Sequence, residues 1–492
     1  MNKKLLLRWL LVLGFGLVLL VGVLFITALQ TTPKQVDAPQ PAVAVTLDQD
    51  QMAARLARGL QFRTISYSDE TQFDGTPFLE LREYIEQSFP RVHAALTQEI
   101  IDDYSLLYTW PGQDAQLQPM LLMAHLDVVP VETGTETAWT YPPFDGRIAE
   151  GYIWGRGAMD DKSSVFAILE AAESLLQEGF QPQRTIYLAF GHDEEIYGQG
   201  GAAEIAALLH SRGIELDYVL DEGGGIAEDT VPYLTQPAAV VGIAEKGFAN
   251  IELSVQTQGG HSSSPPSHTA VGILSAAIHK LESNPYPLRI SAPSAATFEY
   301  LAPEMPGVMR LVFANRWLFG GLIRNQLAQA PRTNAEIRTT MAATIFESGT
   351  KENILPSSAR AVLNWRILPG DSIAGVMEHV RQTIDDPQVK IRLLEVHSEP
   401  SPVSDIDSPS FEMLQRTIRQ TFPDVVVLPT LTVGTSDARH YGGLTRHIYR
   451  FAPIVAGPED ANRAHGTDER LSVENYGLFA QFYVQLIRNS SS

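Results

Sequence analysis

From Trp9 to Leu29 the chain runs 21 residues without a charge, and Lys3, Lys4 and Arg8 stand just before that run. At about 1.5 Å per residue such a helix is roughly 31 Å long, the hydrocarbon thickness of a bilayer. Because the positive charges precede the run, the N-terminus is expected to stay in the cytoplasm. The bulk of the chain then lies outside as a single-pass protein of the periplasm or cell surface. A cleaved signal peptide, with Ile26-Thr27-Ala28 as its small-residue site, is the competing reading and would make the protein secreted. The apolar core is longer than the usual h-region of about 7–15 residues, which favours an uncleaved anchor. Residues 1–8 are thus read as a cytoplasmic basic start, 9–29 as a transmembrane anchor, and the Pro-, Gln- and Ala-rich stretch 30–46 as a tether.

The remainder has the composition of a globular protein with a real core, 44% hydrophobic and 19% charged. Lys and Arg total 36 against 57 Asp and Glu, a net charge of −21 that would repel a phosphate backbone, so nucleic acid is excluded as a partner. There is no cysteine. Disulfide scaffolds, thiolate metal sites and thiol nucleophiles are excluded with it, and any metal must be held by His, Asp and Glu.

Beyond Leu47, helical and strand patterns alternate. Gln51–Phe62, Pro77–Phe89 and Ser163–Glu178 carry apolar residues at helical spacing, while Pro119–Ala124 and Thr185–Phe190 are short apolar runs that end in acidic or His-bearing turns. This alternation predicts an α/β domain with a mostly parallel sheet, whose ligands bind beyond the carboxyl ends of the strands. Near Lys246 the texture changes: Ile251, Leu253 and Val255 alternate with polar residues, as in a strand with one wet face. A helix at Ala270–Leu281, strands at Ala361–Ile367 and Val389–Val396 and a helix at Ser372–Ile384 complete a smaller α+β unit. Within it, Ile290–Thr344 is long, Pro-punctuated and partly apolar, and reads as added core or a packing arm, with a second membrane contact as the alternative.

Five motifs carry chemistry in order: Ala124-His125-Leu126-Asp127, Gly155-Arg156-Gly157-Ala158-Met159-Asp160-Asp161, Gly191-His192-Asp193-Glu194-Glu195, Leu220-Asp221-Glu222-Gly223, and Ala464-His465-Gly466-Thr467-Asp468-Glu469. Singly each is weak. Placed after successive strand-like runs, they converge on one sheet edge, where clustered carboxylates repel and need a compensating charge. Two divalent cations would supply it, and His/carboxylate ligation suits Zn2+, with Co2+ or Mn2+ as substitutes.

This ordered set, over about Gln51–Leu486, resembles the dizinc metallopeptidase family of aminoacylase-1, carboxypeptidase S, acetylornithine deacetylase and succinyl-diaminopimelate desuccinylase. His192-Asp193-Glu194-Glu195, Trp154-Gly155-Arg156-Gly157 and the N-terminal anchor point toward the carboxypeptidase S and N-fatty-acyl amino acid hydrolase branch. The resemblance implies a zinc-peptidase catalytic domain, 47–245 and 397–492, interrupted by a lid/dimerisation domain, 246–396, with the insertion 290–344. It implies His125, Asp160, Glu195 and His465 as metal ligands, Asp160 bridging, with the last ligand open between Asp221 and Glu222. Asp127 would orient His125, Glu194 would act as general base, and the Asp160–Asp161 peptide bond would be cis. His261, in Gly259-Gly260-His261-Ser262-Ser263, corresponds to a His that stabilises the oxyanion, often from the partner subunit of a homodimer. Asn353, Arg366 and Gly434 correspond to substrate-binding positions, and His192 is read as structural.

The implied reaction is hydrolysis of an amide bond next to a free α-carboxylate, by a carboxypeptidase, dipeptidase or N-acyl amino acid hydrolase. An anchored aminopeptidase and a non-catalytic, metal-stabilised binding protein are the alternatives. The free carboxylate of Glu194 argues against the second, and Arg366, a partner for a carboxylate rather than for an amine, against the first.

Overall fold

The computed structural model describes residues 3–37, 40–43, 45, 47–460 and 462–491. Met1 and Asn2 of the basic start, and Ala38, Pro39, Ala44 and Thr46 of the tether, lie outside the described residues. Among the described residues one helix is long and apolar enough to cross a membrane, Leu7–Gln30, and it projects from the protein with its side chains mostly exposed.

The centre of the molecule is a ten-stranded mixed sheet. Its middle is parallel: Met120–His125 lies between Ile186–Gly191 and Tyr218–Asp221, and Ile448–Arg450 continues alongside the last. Its edge is antiparallel, through Thr97–Ile101 and Ser105–Trp110. Met120–His125 is buried at every position because both faces are covered. Met120, Leu122 and Ala124 face the helix Lys162–Gln177, while Leu121 and Met123 face the helix Ala202–Ser211, as a side-chain period of two requires. Three parallel strands therefore end side by side, and the chemically loaded turns follow them.

The chain leaves this sheet at Glu245 and enters a second, four-stranded antiparallel sheet at Gly247. In Gly247–Gln256 the alternation is clean: Ala249, Ile251, Leu253 and Val255 pack against the helices Ala270–Ser283 and Ile373–Ile384, while Glu252 on the other face pairs with Arg360 and Arg392 from both neighbouring strands. The hinge residues point opposite ways. Glu245 accepts from Arg450 and Ser436 of the large domain, and Lys246 donates to the carbonyls of Ala335 and Arg338 and to Thr340 Oγ1 of the lid side.

One segment is fastened more firmly than its sequence reading, and a second forms the added core that was one of its readings. Among its described residues the stretch read as a tether has no helix or strand beyond Gln30, yet it is strapped to the catalytic domain. The Gln35 amide both donates to and accepts from the backbone of Val427, Val43 N–H donates to Gln485, and Ala42 N–H donates to the Gln420 carbonyl. Val426–Thr432 pairs only with Ala238–Glu245 in the sheet, so Gln35 satisfies part of an open strand edge. The stretch 290–344 is a set of short helices that sends Ala296, Tyr300, Leu301 and Met305 into the main core, away from the lid sheet. It ends inside a lid strand, Thr340–Ser348, whose weak alternation hid it in the sequence.

Candidate metal centre

His125 closes the Met120–His125 strand, Glu194 and Glu195 open a single helical turn after Ile186–Gly191, and Glu222 follows Tyr218–Asp221. Asp160 precedes the buried helix Lys162–Gln177, and its peptide bond to Asp161 is cis. His465 comes from the loop before Arg470–Ser472 and holds φ 60°, a left-handed conformation that costs a non-glycine residue about 1–2 kcal/mol.

These residues form two groups that share one carboxylate. His125, Asp160 and Glu222 make the first and Asp160, Glu195 and His465 the second, with the ligand atoms of each group within 4.8 Å of one another. His125 Nε2 is 2.9 Å from Asp160 Oδ1 and 3.5 Å from Glu222 Oε1, while His465 Nε2 is 3.0 Å from Asp160 Oδ2 and 3.1 Å from Glu195 Oε2. Asp160 thus turns one oxygen toward each group. Asp221 joins neither: its oxygens accept from the backbone N–H groups of Glu222 and Ala438, at 2.9 and 2.8 Å. Of the two adjacent acids, the one still inside the strand is spent on backbone, and the next reaches the cluster.

The groups fit a pair of divalent cations. The donors are two imidazoles and three carboxylates, and Glu195 Oε1 is buried without a hydrogen-bond partner. The electrostatics show the same need. Burial, then the Asp160 charge, pushes Glu222 up to about 8, and burial with the Glu222 charge holds Glu194 well above the usual carboxylate range. Hydrogen bonds to Asp160 and Glu195 raise His465 to about 10. Burial opposes charging of His125, but Glu222, Asp127 and Asp160 outweigh it and lift that pKa well above normal. Protons thus fill the role of counter-charge that metal ions take over when they bind.

Around the cluster a scaffold holds each ligand. His125 Nδ1 faces Asp127, 3.0 Å from its carbonyl and 3.3 Å from Oδ1. The Asp127 carboxylate also accepts from Ser66 Oγ and from the backbone N–H groups of Glu194 and Glu195, so one side chain orients an imidazole and the acidic turn together. Sequence reasoning missed the tie on the opposite side. Glu469 accepts from the N–H groups of Met159 and Asp160 and from Arg156, and Arg156 also donates to the carbonyls of His465 and Gly466. Both residues lie inside motifs already quoted; the signal available was an unassigned buried-type pair flanking two ligands.

The lid residues lie elsewhere. His261 and Asn353 are exposed, on a two-stranded ribbon formed by Gly260–His261 and Ile354–Leu355, and His261 Nδ1 is 2.8 Å from Ser263 Oγ. Arg366 reaches toward the catalytic domain: its guanidinium lies over Phe248, Phe248 stacks on Tyr197 at 4.9 Å, and Tyr197 follows the Glu194–Ile196 turn. Arg439 covers the same Tyr197 ring, and Arg366 Nη1 is buried without a partner. Gly434 follows the strand Val426–Thr432, and a Cβ there would meet open space. His192 is a packing residue, bonded to Ser105 Oγ and set against Phe78 and Tyr104.

The model for peptidase family M20/M25/M40 matches residues 121–489. The chain is 44% identical over 486 residues to the probable carboxypeptidase S-like 2 of Dictyostelium discoideum, covering 96% of this chain and 93% of that one. It is 40% identical over 447 residues to the N-fatty-acyl-amino acid synthase/hydrolase PM20D1 of Homo sapiens, covering 90% and 88%. Its fold matches the crystal structure of the M20 family metallo-carboxypeptidase Sso-CP2 from Sulfolobus solfataricus at a TM-score of 0.66 and 17% identity, over 89% of this chain and 99% of that one. The chain belongs to peptidase family M20/M25/M40 and is a metal-dependent amide hydrolase.

Proposed function

We propose that this chain cleaves the amide bond between an acyl group and an amino acid whose α-carboxylate is free, with N-fatty-acyl amino acids as its first substrate class. Short peptides that lose a C-terminal residue are the second. The human relative's name favours the first class and the Dictyostelium relative's the second. The observation that carries the chemistry is a carboxylate, Asp160, shared by two His–acid groups, with Glu194 beside them and in neither.

Two Zn2+ per chain, with Co2+ or Mn2+ as substitutes, would be held by His125, Asp160 and Glu222 and by Asp160, Glu195 and His465. When bound, such ions polarise a carbonyl and acidify water. Glu194 takes the proton from the attacking water and delivers it to the leaving nitrogen, a role for which a buried carboxylate with a raised pKa is suited. Arg366, with a buried Nη1 to offer, receives the substrate carboxylate. His261 donates to the developing oxyanion from the partner subunit of a homodimer. The N-terminal helix anchors the catalytic domain outside the cytoplasm, in the periplasm or at the cell surface.

The test is amino-acid release by the full chain from N-oleoyl amino acids and from dipeptides blocked at either end, with metal supplied or chelated. Release is expected to need metal and a free α-carboxylate. Glu194→Gln should lower kcat about 10²–10⁴-fold with both ions retained. Cleavage that survives C-terminal blocking but not N-terminal blocking would establish an aminopeptidase, and no turnover with two ions bound a binding protein.

A further inference from the structure

The apolar N-terminal helix touches the rest of the protein mainly near its C-terminal end, and it touches an unusual partner. Leu24 and Ala28 are 8% and 7% exposed, whereas Leu13 and Phe15 are both 66% exposed. What packs against this end is the short helix Gly307–Ala314 and Asn315, the junction to the next helix, Arg316–Leu327. Asn315, fully buried between the two helices, donates to the Leu24 carbonyl at 3.0 Å and accepts from Thr27 Oγ1 at 2.6 Å. Arg310 donates to the carbonyls of Ala28 and Thr31, at 2.9 and 2.7 Å.

Those contacts set a depth. The span Leu7–Gln30 has 24 residues. At about 1.5 Å per residue it is ~36 Å long against ~30 Å of hydrocarbon, leaving ~3 Å beyond the hydrocarbon at each end when centred. Leu24 lies ~9 Å before Gln30 and hence ~6 Å below the hydrocarbon surface. Asn315 touches it directly, so the two short helices cannot stand clear of the bilayer that the long helix crosses. Their surface agrees with this placement. Val308, Trp317 and Leu322 are 76%, 64% and 63% exposed, an apolar set that water would not favour. Between Met305 and Ala335 there are four arginines, Arg310, Arg316, Arg324 and Arg332, and no acid, in a chain whose net charge is −21. Glu299 offsets Arg316 at 3.5 Å, but the stretch as a whole remains basic.

We infer that the helices Gly307–Ala314 and Arg316–Leu327 form an interfacial foot, seated in the headgroup and outer acyl region of an anionic phospholipid leaflet where the N-terminal helix emerges. The inference rests on the membrane-anchored reading above. Exposed apolar side chains with a tryptophan and a basic flank are the composition of helices that lie in a bilayer interface rather than across it. The foot fixes the catalytic domain against the membrane at a second point, so that the domain does not swing on a single helix.

The absence of cysteine makes the test direct. Single variants Leu322→Cys, Val308→Cys, Leu17→Cys and Ile100→Cys of the full chain are spin-labelled and reconstituted in phosphatidylcholine–phosphatidylglycerol vesicles, each checked for retained hydrolase activity. Accessibility to oxygen and to a water-soluble nickel chelate is then read for each label. Labels at 322 and 308 are expected to show an oxygen-to-nickel ratio several-fold above that at 100, and closer to that at 17. A lipid-like ratio at 17 with a water-like ratio at 322 and 308 overturns the foot and leaves the anchor standing. A water-like ratio at 17 overturns the anchor and the foot with it. Protection of 322 and 308 from both reagents would mean that a second copy covers the surface, and also overturns the inference.

Discussion

At the carboxyl ends of the three central parallel strands, buried carboxylates tie the metal-site turns and loops to one another; on the Gly260–His261 ribbon of the lid, His261 and Asn353 stand in solvent. Asp127 steadies His125 and the Glu194–Glu195 turn, and Glu469 with Arg156 steadies Asp160 and the His465 loop. Among the described residues the side chain of His261 is bonded to Ser263, two residues on. The difference teaches that the two halves of the chemistry are prepared differently. The charge-dense half must be built rigidly within one chain, because its three carboxylate ligands would otherwise repel and its two imidazoles drift. In the mechanism proposed above, His261 would meet the reacting carbonyl only after a lid movement or from a second subunit, because it stands exposed on the lid ribbon.

The largest effects should come from uncoupling the two halves. His261→Ala is expected to lower kcat by about 10²–10³-fold without loss of metal, the scale of one oxyanion donor. When it is mixed and re-associated with Glu194→Gln, each heterodimer regains one site with both residues intact, and about a quarter of the wild-type activity should return. If the mixture stays as inactive as its parents, His261 does not act across a subunit boundary.

Next comes the scaffold alone. Arg156 and Glu469 are 2% and 0% exposed, with 2.7 Å between charged atoms. Arg156→Met leaves a buried carboxylate without its cation and is expected to cost about 3–5 kcal/mol in denaturant unfolding of the metal-free protein. An equal change on the lid, at Arg392, which is exposed and whose loss leaves Glu252 paired with Arg360, should cost about 0–1 kcal/mol. Similar losses at the two positions would erase the contrast. Asp127→Asn is milder in stability but should weaken metal binding about 10–100-fold, because the imidazole loses an anionic partner while the amide keeps most of the shape. Competition with a calibrated chelator reads it.

The same contrast explains what could be read from the sequence. His125, Glu195 and Glu222 stand in short motifs that each end or follow an apolar run, so both the strand and the chemistry at its end were local signals. His125, Asp160, Glu195, Glu222 and His465 were named from short motifs and meet in space. The choice between Asp221 and Glu222 was not local: it depends on Ala438, more than two hundred residues away, offering its N–H to Asp221. The strapped segment was illegible for a related reason. Gln35 binds an open strand edge that only the fold creates, and a Pro- and Gln-rich stretch looks the same free or fastened. The strand Thr340–Ser348 was hidden because most of it is exposed on both faces, leaving no period-two pattern to find.

The last comparison separates the metal-free from the loaded protein by pH. Without metal, Glu222 titrates at about 8 in the folded chain against an ordinary carboxylate value unfolded, and His465 at about 10 against about 6.5. In both cases the folded state holds the proton more tightly. Stability from Glu222 is therefore lost as pH rises through about 8, and stability from His465 is complete below about 6.5 and lost as pH approaches 10. The metal-free protein should thus melt at progressively lower temperature from pH 6 to pH 9. With Zn2+ at fixed concentration the trend should flatten or reverse, since the ions need deprotonated ligands and bind more tightly as pH rises. Calorimetric titrations at pH 7 in buffers of different ionisation enthalpy should then find about two protons released per chain on loading, from His465 and Glu222. Parallel melting curves with and without metal, and no proton release, would mean that the cluster is not where the ions go. In that case the rigid half of the comparison would be a buried acidic network held by its own protons, and the lid would have no chemistry to complete.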